Sequence, residues 1–213
     1  MNLTNELTNV ENIKVVIFDF DDTLYRGGTW TRWGDYVINF YNIAVKDPEK
    51  CQAFRERYGL DGWSNGATIA KAMIDEFGSA RKFSKYGSKF IFQHIVENMI
   101  HVSDEEISKI SKEYKLYIVS NNTKKYIKHY LGEFEISRKH FKGIYENKFL
   151  PKDPTKSHIY HEIMKKTKTK PQEILVVGDN YDNDVLPALN LGMNGAHVTT
   201  LDETREVIGF LTK

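Results

Sequence analysis

The chain has 213 residues, 40% hydrophobic and 28% charged, enough to bury a full core as one domain or as a core with a smaller module. Its 30 basic and 29 acidic residues leave a net charge of +1, with no block of like charge that would fit a nucleic acid or a membrane surface. No apolar run approaches the ~20 residues of a spanning helix. The polar start MNLTNELTNVEN has neither the basic nor the apolar part of a signal peptide. Cys51, the single cysteine, excludes an internal disulfide, and a cytoplasmic protein is the expectation.

In chain order the first strong pattern is IKVVIFDFDDTL, Ile13 to Leu24. The apolar run Ile13 to Phe18, broken only by Lys14, predicts a strand buried on both faces, as in a parallel sheet. It leads directly into Asp19, Asp21 and Asp22. Buried carboxylates without partners are costly, so these acids belong at the open carboxyl end of the strand, where ligands bind in open α/β sheets. Asp19 and Asp21 start out on one side of an extended chain and repel unless a cation lies between them or one is protonated.

From Thr29 to about Met99 there is no β-rich run. Trp33, Tyr36, Val37, Phe40 and Tyr41 recur at helical spacing. Asp47-Pro48 predicts a helix start running to Tyr58, with Gly59 as its stop. A further helix is expected from Ser64 to Phe77, and one or two from Phe83 to Ile100. The tryptophans Trp30, Trp33 and Trp63 read as core of this helical insert, with contact to a ligand as the other option.

Ser103 and Glu106 form a capping-box pattern that opens a helix to Tyr114. Strands and helices then alternate: a strand Lys115 to Ser120, a helix Thr123 to Leu131, and a short strand Gly143 to Glu146. A helix Thr155 to Lys166, a strand Ile174 to Gly178 and a helix to Leu191 come next, then a short strand Ala196 to Thr199 and a closing helix capped by Asp202. Such alternation predicts an α/β fold with right-handed crossovers and a mostly parallel sheet.

Three further pieces in this half carry chemistry. Ser120 ends a strand just before a helix start, where a hydroxyl and backbone N–H groups suit an anion; a simple helix cap by Ser120 or Asn122 is the other reading. Lys152 and Lys156 precede or enter the first turn of a helix, the end at which a lysine calls for a nearby anion; a solvent-exposed stem is the alternative. Gly178-Asp179 ends a strand and is followed by Asp182 and Asp184, more acid than helix capping requires and suited to a hard cation such as Mg²⁺.

The order Asp19/Asp21/Thr23, Ser120, Lys152 or Lys156, and Asp179/Asp184 resembles the motif series of the haloacid-dehalogenase-like superfamily, D-x-D-x-T-L, then S or T, then K, then G-D with a further acid. The likeness spans residues 13 to 200, with one departure: the third motif often reads K-P, whereas here the order is Pro151-Lys152-Asp153-Pro154. Lys156, at the helix start, is the preferred equivalent.

The resemblance implies a Rossmann-like three-layer α/β/α core, residues 1–25 and 101–213, with an inserted α-helical cap domain, residues 26–100, as in the small-metabolite branch. It implies a Mg²⁺-dependent phosphatase in which Asp19 forms an aspartyl-phosphate and Asp21 serves as general acid, then general base. Asp19, the main-chain carbonyl of Asp21, and Asp179 would hold Mg²⁺, with Asp184 acting through water. Ser120, the amide of Asn121 and Lys156 would bind the phosphoryl group. Thr23 braces the turn, and Asp22 and Asp182 are bystanders. The expected partner is a small phosphorylated metabolite rather than a nucleic acid or membrane, and oligomeric state is open. A phosphosugar mutase or a catalytically idle binding relative are the alternatives. A dehalogenase has no use for the acid at Asp21.

Overall fold

The computed structural model describes residues 12–26, 47–58, 75, 99–147 and 155–212. The chain divides into two units, Met1–Arg26 with Ile100–Lys213, and Gly27–Met99.

The first unit is built on β1 (Val15–Phe18), whose four residues are all buried. β1 pairs in parallel with β4 (Lys115–Ser120) on one side and with β6 (Ile174–Gly178) on the other. Beyond these lie β5 (Phe141–Glu146) and β7 (Asn194–His197), also parallel, in the order β5–β4–β1–β6–β7. The chain steps outward from β1 through β4 and β5, then returns to the other side of β1. The strand order therefore reverses between β1 and β6, the crevice where open α/β sheets bind ligands. With every strand parallel, the residues just past each strand emerge at one edge of the sheet.

Both faces of the sheet are buried at its central strands, as the apolar runs require. Val15, Ile17, Tyr117, Val119, Ile174 and Val176 share one face and pack with Ile159, Tyr160 and Ile163 of α4 (Ser157–Thr167) and Ala188 of α5 (Leu186–Asn190). The alternate residues Val16, Phe18, Leu116, Ile118, Leu175 and Val177 are buried on the other face. Three more helices belong to this unit: α2 (Asp104–Ser111), α3 (Lys124–Glu133) and α6 (Leu201–Leu211). α2 has its capping box, with Ser103 N–H donating to Glu106 Oε2 (2.7 Å) and Glu106 N–H to Ser103 Oγ (3.2 Å).

In the second unit the described helix is α1 (Pro48–Tyr58). Asp47 caps it as expected, its Oδ1 accepting from the amides of Glu49 and Lys50 at 3.2 Å, and α1 buries Cys51 and Phe54. The helices expected at 29–41 and 64–77, the tryptophans Trp30, Trp33 and Trp63, and residues 83–98 lie outside the described residues.

Four departures from the sequence pattern stand out beside smaller shifts of element ends. Tyr25–Arg26 and Ile100–His101 form a two-residue antiparallel ribbon, β2 and β3, where Ile100 was expected to end a helix. Residues 181–185 form a wide turn, closed by Leu186 N–H to the Tyr181 carbonyl, before the five residues of α5, where one continuous helix was expected. β7 spans 194–197 rather than 196–199. α6 is capped by Thr200, whose side chain accepts from Glu203 N–H, while Asp202 sits in the first turn. Among the described residues no helix is long and apolar enough to cross a membrane.

Candidate active site

Asp19 follows β1 directly, and its N–H donates to the Val177 carbonyl of β6 (2.9 Å), so the sheet fixes its backbone. Its side chain is buried. The chain then turns sharply: Asp22 adopts a left-handed φ of 54°, a conformation Asp tolerates, and Leu24 N–H returns to the Phe20 carbonyl at 3.0 Å. Thr23 is buried, and its carbonyl accepts from Thr204 Oγ1 of α6 (3.0 Å), which ties the turn to the closing helix.

Asp21 is half-buried and held by three donors. Tyr25 OH donates to its Oδ1. Asn122 Nδ2 (2.8 Å) and Ser120 Oγ (3.2 Å) donate to its Oδ2. Ser120, at the end of β4, is 1% exposed and also accepts from Asn122 N–H at 3.0 Å. Neither Ser120 nor Asn122 is the cap of α3. That role falls to Thr123, whose Oγ1 accepts from Tyr126 N–H (3.2 Å). The cap reading was open because all of these residues carry suitable side chains; the register of α3 decides between them. Asn121 is exposed, and its Oδ1 accepts from the amide of the buried Asn147, which follows β5 (2.9 Å).

Lys156 immediately precedes α4 and is 2% exposed. Its Nζ lies 2.5 Å from Asp19 Oδ1 and 2.5 Å from Asp184 Oδ1. Lys152, the other candidate, lies outside the described residues. Asp179 follows β6 and is half-buried, its carbonyl bonded to His197 Nε2 of β7 at 2.8 Å. Asp184 is buried at the inner side of the wide turn. Its Oδ2 accepts from Asn180 N–H (3.1 Å), and its carbonyl accepts from Tyr160 OH of α4 (3.2 Å). Gly178 makes this approach possible: a Cβ there would lie 2.5 Å from Asp184 Oδ2. Asp182, in the same turn, is exposed.

Oxygens of Asp19, Asp179 and Asp184 all lie within 4.8 Å of one another, the one such acidic group among the described residues. The structure thus brings oxygens of both Asp179 and Asp184 within 4.8 Å of Asp19. The carboxylate of Asp21 stands outside that group, with Ser120 and Asn122. Of the residues that hold Asp21, Tyr25 was not singled out from sequence, and Asn122 was named only as a possible helix cap. Tyr25 lies one short turn beyond Asp21, but nothing in its spacing separates a donor to the acid from another aromatic core residue.

The electrostatics derive from burial. Desolvation pushes the Asp19 carboxyl well above its ordinary value; Lys156 opposes this, and Asp184, Asp179 and Asp21 add to it. Desolvation, then Asp184 and Asp22, raise Asp179 to about 6. Burial alone would lower Lys156, but Asp19 and Asp184 outweigh it and raise it. Burial, then Asp21 and Tyr126, keep the Tyr25 hydroxyl well above its ordinary value, so it stays a donor at neutral pH. Lys156 pairs with two of the three carboxylates, which leaves an excess of negative charge that a divalent cation would offset. Hard oxygen donors at this spacing suit Mg²⁺.

A family model for haloacid dehalogenase-like hydrolases matches residues 13–192. No curated protein sequence matches the chain. Among solved structures, a HAD phosphatase from Thermococcus onnurineus is similar at 16% identity and TM-score 0.57, covering 92% of this chain and 98% of its own. A 2-haloacid dehalogenase from Pseudomonas syringae pv. Tomato is similar at 15% identity and TM-score 0.57, covering 93% and 98%. A HAD-family enzyme from Bacteroides thetaiotaomicron, solved with magnesium and inorganic phosphate, is similar at 16% identity and TM-score 0.50, covering 87% and 93%. At these identities the structural likenesses speak for the fold. With the family model spanning both the acidic strand end after β1 and the Gly178-Asp179 turn, the chain belongs to the haloacid dehalogenase-like hydrolases.

Proposed function

We propose that this hydrolase is a Mg²⁺-dependent phosphomonoesterase acting on a small phosphorylated metabolite. The observation that carries the reading is the group of Asp19, Asp179 and Asp184, the first and last of them buried, within 4.8 Å and neutralised only in part by Lys156. The three carboxylates and the main-chain carbonyl of Asp21 would hold the ion. Bound there, Mg²⁺ supplies charge neutralisation to the phosphoryl oxygens.

Asp19 is the nucleophile. One of its oxygens bonds to phosphorus as the bond from phosphorus to the substrate oxygen breaks. Asp21 gives its proton to that leaving oxygen. It then takes a proton from a water whose oxygen attacks the same phosphorus, and the bond to Asp19 breaks to restore the carboxylate. Lys156 stays charged throughout and faces the nucleophile. Ser120 Oγ and the amide of Asn121 donate to the phosphoryl oxygens, each such donor being worth roughly 10²–10³ in rate. Without substrate the Ser120 hydroxyl rests on Asp21 Oδ2, so the phosphoryl group competes with Asp21 for it. Cleavage of a carbon–halogen bond needs no proton donor, which leaves the three-donor cradle around Asp21 without a purpose. That weighs against dehalogenation.

The test is p-nitrophenyl phosphate turnover with Mg²⁺ and with EDTA, extended to a panel of phosphorylated metabolites. Asp19→Asn is expected to abolish it, and Asp21→Asn to abolish turnover while Mg²⁺ still binds. An unmutated protein that turns over nothing on the panel overturns the proposal.

A further inference from the structure

We infer that Tyr25 is a positioning residue for the acid–base step: its buried hydroxyl pins Oδ1 of Asp21 and leaves Oδ2 as the oxygen that exchanges the proton. The inference rests on the phosphatase reading and goes beyond it, since no motif resemblance assigns Tyr25 a role.

Tyr25 is fully buried. Its ring stacks on Tyr130 of α3 (5.8 Å, planes 7° apart) and packs against Phe20 (5.1 Å) and Phe134 (5.2 Å). Its backbone is tied by the pairing of β2 with His101. A phenylalanine would fill the same slot. A buried hydroxyl is costly unless bonded, so its presence asks for partners. Two are present: Asp21 Oδ1 and, at 2.9 Å, the hydroxyl of Tyr126 in the first turn of α3. Tyr25 OH donates to Asp21 Oδ1, and in its bond with Tyr126 either hydroxyl can be the donor. Tyr126 is 4% exposed and lies just past Thr123, the residue that caps α3.

The two oxygens of Asp21 therefore face different surroundings. Oδ1 meets a rigid aromatic wall that no substrate displaces. Oδ2 meets Ser120 Oγ and Asn122 Nδ2, the side from which a phosphoryl group withdraws the serine. With Oδ1 fixed, the carboxyl plane turns only a little as Ser120 departs, and Oδ2 stays aimed at the leaving oxygen. A general acid misplaced by even about 1 Å loses roughly 10²-fold in rate.

The experiment compares the parent, Tyr25→Phe and Asp21→Asn as full-length proteins, reading kcat/KM on p-nitrophenyl phosphate and on a simple alkyl phosphate. This parameter covers steps through cleavage of the phosphorus–oxygen bond, where an alkoxide needs a proton and p-nitrophenolate does not. Tyr25→Phe is expected to lower the alkyl value roughly 10- to 100-fold and the aryl value less than about 3-fold, with the Mg²⁺-induced thermal shift unchanged. Equal losses on both esters, or no loss on either, overturn the role. If Tyr25→Phe does not fold, Tyr126→Phe takes its place: it keeps the bond from Tyr25 to Asp21, removes the neighbouring hydroxyl that faces both Tyr25 and Asp21, and is expected to show the same selectivity in smaller measure. A parent that turns over neither ester overturns the phosphatase reading itself and the role with it. That result is distinct from an active parent with an unselective variant.

Discussion

Lys156→Met removes the cation that touches both Asp19 and Asp184 and keeps a side chain of similar length. The lysine side chain is 2% exposed and those of the two acids 8% and 1%, so water cannot take its place. Removing one partner of a buried ion pair costs about 3–5 kcal/mol. At roughly 2–4 °C per kcal/mol for a chain of this size, that lowers Tm by about 6–20 °C in metal-free buffer. The loss also depends on pH, with a definite sign. Lys156 is charged across the whole working range, so the dependence comes from the acids. Asp19, already raised by burial against the pull of Lys156, rises further when the lysine goes. A carboxyl whose folded pKa exceeds its unfolded value makes the fold lose stability as pH rises from the unfolded value through the folded one. The gap between variant and parent is therefore small near pH 5 and large at about pH 8, and added Mg²⁺ narrows it by replacing the missing charge. Thermal unfolding in EDTA at both pH values, repeated with Mg²⁺, measures this. Lys152→Ala serves as the comparison and is expected to cost less in both stability and turnover. If Lys156→Met melts with the parent at about pH 8 without metal, Lys156 is not the counter-charge of a buried acidic group and the reasoning fails.

Asp179, at about 6, must lose its proton to bind a cation, so the thermal shift produced by Mg²⁺ is expected to grow from about pH 5.5 to about pH 7.5; a shift independent of pH over that range argues against Asp179 as a ligand. Gly178→Ala places a Cβ 2.5 Å from Asp184 Oδ2, and a displaced carboxylate is expected to weaken Mg²⁺ binding by calorimetry together with about 1–3 kcal/mol of stability. Thr123→Ala removes the cap of α3 and is expected to cost about 0.5–2 kcal/mol in urea unfolding, whereas Ser120→Ala costs turnover with little change in stability; the reverse pattern would make Ser120 the structural residue.

The parts of this molecule that could be read from sequence are those where a residue answers to its immediate neighbours. β4 and β6 match the expected 115–120 and 174–178 because strands buried on both faces are continuous apolar runs. The helix at Pro48 and the capping box at Ser103 were legible because caps are local chemistry. The ribbon of β2 and β3 was not, since two residues carry no period and their pairing joins Tyr25 to His101 across the whole insert. The role of Asn122 as a donor to Asp21 was hidden for the same reason. Asn122 reaches it because β1 and β4 are neighbours in the sheet.

The wide turn at 181–185 extends this limit into the site itself. Its composition is that of a helix start, and only the extra residue in the turn distinguishes it. One added residue rotates the chain before it by about 100° relative to the chain after it. In this arrangement Asp184 faces back over β6, close enough that position 178 tolerates no side chain. If Asp184 serves the proposed metal site, Gly178 and the wide turn answer one need, a third carboxylate beside Asp19 and Asp179.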